Sequence, residues 1–331
     1  MKRSIMHIKT IATLAIFLSG FGYAMAEPVL SPDMAVREEI YPFATQTLSD
    51  EQFLTGTSGK AEQIGGILSL PQGKGPFPAV VLMHGSSGVG ANIEPWVRQL
   101  NGKGIATFTI DSLTGRGYKQ LGDKQAALGR LNYIADIYGA LDILAHHSSI
   151  DPKRIGLLGF SRGGQAALYA SMTRFNNLWN KSGARFATYV PFYPNCVSVY
   201  KDDDKLEAGP VRIFHGGADD YNPAGVCEDY TQRLKKAGVD IEMTVYPEGE
   251  HGFDVPTLFG KSLQSKTAQT ARNCKIREAE NGILMNLDTS APFTYEDQCV
   301  VLGPHVGGNA AAAEAAYSAV LAHFVKTFEL N

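Results

Sequence analysis

The sequence predicts an α/β fold, with a mostly parallel central sheet covered by helices on both faces. Three observations carry this. Short apolar runs alternate with stretches of helical apolar spacing from about residue 40 to residue 328, the alternation that builds a parallel sheet. Several runs, "FPAVVLMHG" (77–85) among them, are apolar at consecutive positions, as strands buried on both faces are. The 331 residues are 44% apolar and 19% charged, and no repeat or Pro/Gly/Ser-rich linker divides 30–330, so one domain is expected.

The first 26 residues stand apart. Lys2, Arg3 and Lys9 precede the apolar "IATLAIFLSGFGYA", and Ala24 and Ala26 follow in an A-x-A arrangement. This reads as a secretory signal peptide cleaved after Ala26. Its apolar core of roughly 14 residues is shorter than the about 20 that span a bilayer. No later run is long and apolar enough to insert stably in a membrane. The mature chain, 27–331, is expected in the periplasm or secreted.

The elements follow in order. Residues 40–48 and 63–71 read as two early strands, a hairpin. Residues 77–85 form a buried strand ending in glycine, 92–104 a helix closed by glycine, and 105–111 a strand. Residues 123–147 have helical spacing at Ala127, Leu131, Ile134, Ile137, Leu141 and Leu144. A strand at 154–160 leads into a helix at 163–173. Later strands fall at 186–194, 211–216 and 241–247, with a helix at 224–237. An alanine-rich helix at 310–328 closes the chain. Residues 253–308 show neither period and exceed an ordinary connection, so they read as a functional or capping insertion.

The formal net charge is −3. Removing the leader takes away three bases and no acid, which leaves about −6. With no basic patch or aromatic–basic stripe, nucleic acid is excluded as a partner. Four cysteines, Cys196, Cys227, Cys274 and Cys299, suit two disulfides in an exported chain. Of the three possible pairings, the spacings suggest Cys196–Cys227 and Cys274–Cys299. There is no C-x-x-C, and the adjacent His146 and His147 diverge on a helix, so no metal site is expected.

Of four Gly-x-Ser triplets, only Gly159-Phe-Ser161 is completed by a glycine two residues on, Gly163. It alone follows a buried strand and opens a helix, where a nucleophilic serine sits on a strained turn. The bland alternative is an ordinary strand–helix turn. A serine needs a base, and sheet hydrolases order serine, then acid, then histidine. His323 lies inside the closing helix, His305 in a loop with no strand before it, and His215 ahead of the acids. His251, in "EGEHGFD", follows the strand at 241–247, at the sheet edge where ligands bind. The acid is Asp219 or Asp220, in the turn after the strand at 211–216. Both aspartates could instead merely start the next helix. For the oxyanion, the backbone N–H groups of Arg162 and of Ser86, in "MHGSSGVG", are the candidates. Arg116, in "DSLTGRGY", lies on the same edge. It could bind a substrate carboxylate, pair with a neighbouring acid, or face solvent.

Together and in order, "VVLMHGSSG", "GFSRGG", "GGADDYNP" and "YPEGEHGFD" resemble the dienelactone hydrolase family of α/β-hydrolases over about residues 75–323. The resemblance implies the α/β-hydrolase fold. The family's Gly-Gly-x-Asp turn, with proline four residues on, maps to Gly216, Gly217, Asp219 and Pro223, which selects Asp219. Its histidine maps to His251 and its oxyanion amide to Ser86. It also supports Cys196–Cys227, which would brace the acid turn. Two departures matter. The enzyme that names the family has a cysteine nucleophile where this chain has Ser161, and an oxyanion-loop glutamate where this chain has Gly85. The resemblance therefore implies a serine-dependent hydrolase of a small carboxylic ester or lactone, without cofactor or metal. An amidase or peptidase of the same fold is one alternative, and a non-catalytic binding protein is another. The number of subunits stays open.

Overall fold

In the computed structural model, which describes residues 31–330, the apolar runs become one eight-stranded sheet. The leader expected within residues 1–26 lies outside the described residues. β1 (Arg37–Thr47) and β2 (Lys60–Leu70) pair antiparallel from Arg37↔Leu70 to Thr47↔Lys60. Between them lies α1 (Asp50–Thr55), opened by a capping box in which Ser49 Oγ accepts the Gln52 amide and Gln52 Oε1 accepts the Ser49 amide. β2 pairs antiparallel with β4 (Ala106–Asp111). From there β4, β3 (Phe77–Met83), β5 (Ile150–Phe160), β6 (Thr188–Phe192), β8 (Val211–Gly216) and β9 (Ile241–Tyr246) run parallel, in that spatial order. β7 (Ser198–Val199) lies outside this sheet.

The unbroken apolar strands have a simple cause. In β3, Ala79, Val81 and Met83 enter one core while Val80 and Leu82 enter another. Successive side chains point to opposite faces, and both faces are covered. The first core is closed by α3 (Asn132–Ala145), α4 (Arg162–Tyr169) and α6 (Ala224–Lys236), through Ile134, Ile137, Leu168 and Leu234. The second is closed by α2 (Ile93–Asn101) and α7 (Ala310–Thr327), through Trp96, Leu100, Val320 and Phe324. Each fully buried Val or Leu contributes about 1.5–3 kcal/mol, so neither face can be left bare.

Two elements differ from the sequence reading. α3 starts at Asn132 instead of 123. The backbone of 125–129 is claimed from outside the helix: the Arg162 guanidinium binds the carbonyls of Gln125, Leu128 and Gly129, and Gln269 Oε1 accepts the Gln125 amide. Those groups are then unavailable to an i→i+4 ladder, despite the helical spacing of Ala127 and Leu131. A further helix, α5 (Thr173–Trp179), buries only Phe175 and Asn176, too little apolar repetition to register in the sequence.

The segment 253–308 is built from strands of two or three residues, too short to show a period. Ser262–Gln264 pairs with His305–Gly307, Gln269–Thr270 with Val301–Leu302, and Ile276–Glu278 with both Leu284–Asn286 and β7. The disulfides Cys196–Cys227 and Cys274–Cys299 are both present, in the pairing expected. Among the described residues, no helix is long and apolar enough to cross a membrane.

The Cys196–Cys227 link has a sequence separation of 31 residues. Removing it by Cys196→Ser with Cys227→Ser should lower the unfolding free energy by about 3–4 kcal/mol, the chain-entropy value for such a loop. Urea titration of the oxidised parent and the double variant checks this, and equal midpoints would refute it.

Candidate active site

Ser161 joins β5 to α4 with φ 55° and ψ −116°, a left-handed region unusual for a residue with a side chain. The turn is held on both sides. The Ser161 amide donates to the Phe192 carbonyl (3.0 Å), and the Ser161 carbonyl accepts the Gln165 amide (2.7 Å). Two glycines make room. A Cβ on Gly159 would lie 2.1 Å from the Gly163 carbonyl oxygen, and one on Gly163 would lie 2.3 Å from that of Met83 and 2.4 Å from that of His84. The Gly-x-Ser-x-Gly spacing is thus a demand of backbone on backbone.

His251 follows β9, and Asp219 follows β8. His251 Nε2 lies 2.8 Å from Ser161 Oγ, and Nδ1 lies 2.8 Å from Asp219 Oδ2. The other carboxylate oxygen, Oδ1, accepts the amides of Tyr221 and Asn222, each at 2.8 Å. The imidazole is packed between Tyr221, stacked at 4.6 Å, and the edge of Tyr193 at 4.8 Å. Such a chain can move a proton from hydroxyl to ring while the carboxylate fixes the tautomer.

The other candidates are engaged elsewhere. Asp220 points away, its carboxylate taking the His305 amide (2.7 Å), the His305 ring (3.0 Å) and Arg272 (3.2 Å). Buried His215 sits 3.9 Å from Asp219 Oδ2 and 3.1 Å from the Gly216 carbonyl, and burial lowers its pKa. His323 meets Thr188 Oγ1 at 2.7 Å, with its pKa pushed down to about 4 by burial.

Ser86 and Arg162 flank Ser161 on the wall of one small cavity. Arg162 is the first residue of α4, so its amide has no acceptor within the helix. A Cβ on Gly85 would come within 3.2 Å of Ser161 Cβ, so the Ser86 loop lies against the serine. The Arg162 side chain, unexplained by the sequence, holds the 125–129 loop as described above.

Arg116 does not face this site, which corrects its reading as a substrate-binding residue. Its side chain is 1% exposed and lies against the fully buried Asp136. Nη1 and Nη2 each reach an Asp136 oxygen at 2.8 Å, and the remaining donors go to Thr47 Oγ1 and the carbonyls of Ser112 and Gln46. A guanidinium has five N–H donors, so none is left for a ligand.

Residues the sequence did not flag complete the surroundings. Asp254, fully buried, accepts from Tyr193 Oη (2.6 Å), Trp96 Nε1 (2.9 Å) and Asn92 Nδ2 (3.1 Å), and burial raises its carboxyl pKa. Its proximity to the histidine, three residues before it, was the only available signal. A cavity of about 570 Å³ opens beside Ser161 and His251, walled in part by Val255, Leu258, Ala268 and Val306 of the 253–308 segment. Among the described residues no group of His, Cys, Asp and Glu could hold a metal ion.

Residues 64–328 match the model of the dienelactone hydrolase family. The chain is similar to a carboxymethylenebutenolidase homologue of Yersinia pestis, 27% identical over 208 residues covering 58% of this chain and 76% of that one. It is also similar to human acyl-coenzyme A thioesterase 1, 34% identical over 116 residues, 35% of this chain and 25% of that one. Among solved structures it resembles a dienelactone hydrolase-like promiscuous phosphotriesterase from metagenomic libraries. That match has a TM-score of 0.52 at 16% identity and covers 87% of this chain and 98% of the other, a likeness of fold.

Arg116→Met would strand the Asp136 carboxylate, which also accepts from Thr45 Oγ1 and Ser112 Oγ. Breaking one side of a buried pair costs about 3–5 kcal/mol. A loss of that size in chemical denaturation is expected. A variant of parental stability with weakened substrate binding would restore the substrate-contact reading.

Proposed function

The chain belongs to the dienelactone hydrolase family, and on that premise we propose that it is an exported serine hydrolase cleaving a carboxylic ester or lactone through an acyl-enzyme on Ser161. The family makes it a hydrolase of dienelactone and esterase type. The finer reading rests on one observation: Ser161 Oγ, the His251 ring and the Asp219 carboxylate form a continuous chain, both links at 2.8 Å. His251 Nε2 removes the Ser161 proton as Oγ attacks the carbonyl carbon, and Asp219 steadies the imidazolium that results. The oxyanion is taken by the backbone N–H groups of Ser86 and Arg162, which serve as preorganised donors. As the tetrahedral carbon collapses, His251 returns the proton to the leaving oxygen. Water then attacks the acyl-enzyme, giving its proton to His251, and the acid is released as Ser161 is re-formed.

Export is supported by the leader-like residues 1–26 and by two disulfides, which persist in oxidising compartments. We take 27–331 as one α/β-hydrolase domain with 253–308 as its insertion.

Ser161→Ala should keep its far-UV circular dichroism and lose ester turnover by about 10⁴-fold or more, and a fluorophosphonate should label the parent at Ser161 but not the variant. Retained turnover in Ser161→Ala would sink the mechanism. Absence of labelling in the parent would favour a binding protein, and faster cleavage of a small amide than of its ester would favour an amidase.

A further inference from the structure

Ser161 stands between two unlike cavities. The larger, about 570 Å³, has His251 in its wall and a largely apolar lining from Val255, Leu258, Ala268 and Val306. The smaller, about 40 Å³, is walled by Arg130, Arg162, Asn195 and Tyr295 and has no histidine. Ser86, Ser161 and Tyr221 border both. Given the nucleophile proposed above, this division orients an ester. The leaving oxygen receives its proton from His251, so the alcohol half lies in the larger cavity. The acyl half faces the smaller one. A water occupies about 10–15 Å³ on this measure, so there is room for a chain of about three heavy atoms.

The charge of the smaller cavity narrows the choice further. Arg130 is 4% exposed and Arg162 7%, and every acceptor they use is neutral. Arg130 bonds to Tyr295 Oη (2.7 Å), Gln165 Oε1 (3.3 Å) and Asn195 Oδ1 (3.2 Å). Arg162 bonds to Gln125 Oε1 (2.7 Å) and to backbone carbonyls. The Nε of each is buried with no acceptor. One buried carboxylate, Asp50, feels both guanidinium groups and accepts the Leu131 amide at 3.2 Å, and Asp219 stands beyond the His251 ring. Two buried guanidinium groups, each with an Nε that lacks an acceptor, line this cavity beside the nucleophile, and a carboxylate entering it would meet that unused donor capacity.

We propose that the smaller cavity receives a carboxylate on the acyl half, held by Arg130, and that the substrates are half-esters of short dicarboxylic acids with apolar alcohols. This rests on the serine-hydrolase reading above. Half-ester and water give the dicarboxylic acid and the alcohol. Between the two steps the free carboxylate of the acyl group stays on Arg130 while the alcohol departs past His251. The anion-binding role considered for Arg116 thus passes to Arg130.

The test compares benzyl hydrogen malonate with its neutral isostere, benzyl malonamate, in the parent, Ser161→Ala and Arg130→Gln. In the parent, kcat/KM should favour the half-ester by about tenfold or more, the scale of a charged hydrogen bond, and Arg130→Gln should bring the ratio close to one. Equal rates in the parent, or a ratio unchanged in Arg130→Gln, would overturn the proposal. Turnover that survives Ser161→Ala would instead overturn the nucleophile itself. Should Arg130→Gln fail to fold, the parent decides: malonate should slow fluorophosphonate labelling at concentrations where propionamide does not, and equal protection by the two refutes an anion site.

Discussion

Everything near Ser161 depends on how closely α4 approaches the end of β3. At Gly163 the helix backbone comes so near the Met83 and His84 carbonyls that no side chain fits between. That contact forces the left-handed turn at Ser161 and sets the serine against the loop carrying Ser86. The same first turn of α4 leaves the Arg162 amide without an acceptor in the helix and sends its guanidinium to the 125–129 carbonyls. One steric constraint therefore positions the serine, two candidate amide donors and a loop more than thirty residues away in sequence. The backbone strain at Ser161 is carried by the rigid sheet beneath it, as strain at functional positions generally is.

The sheet was legible because its strands are buried on both faces and its helices have long apolar stripes. Each such residue contributes independently, so the pattern survives without tertiary knowledge. Ser161, His251 and the pair Asp219–Asp220 could be singled out for a related reason, since each follows a parallel strand and parallel strands end on one edge, and the family resemblance alone chose between the two aspartates. What the sequence concealed was pairing at a distance. Nothing near Arg116 announces Asp136 as its partner, and nothing near Arg130 announces Tyr295, a residue 165 positions away. The start of α3 was misread for the same reason, since Arg162 and Gln269 take the backbone groups that the local spacing would have given to a helix. Local periodicity registers burial, but it does not register competition for a hydrogen bond.

The 253–308 segment ties together parts that the sheet alone would leave separate. Thr270 Oγ1 donates to the Tyr221 carbonyl, the Gln269 amide donates to the Gly122 carbonyl, and the Gly307 amide donates to that of His251. His305 and Arg272 hold Asp220. The acid turn, the histidine loop and the loop after β4 are thus fastened to one another through this segment, which also walls both cavities.

Tyr221 is where these constraints meet. Its ring stacks on the His251 imidazole, its hydroxyl accepts from Gln125 Nε2 (3.2 Å), and it borders both cavities. A ligand that presses on this ring from either side presses through it on the imidazole. On the proposed mechanism, poor substrates would then be tolerated in binding but penalised in the chemical step. Selectivity would be expressed as a slow turnover of the wrong ester, with little change in how tightly it is held.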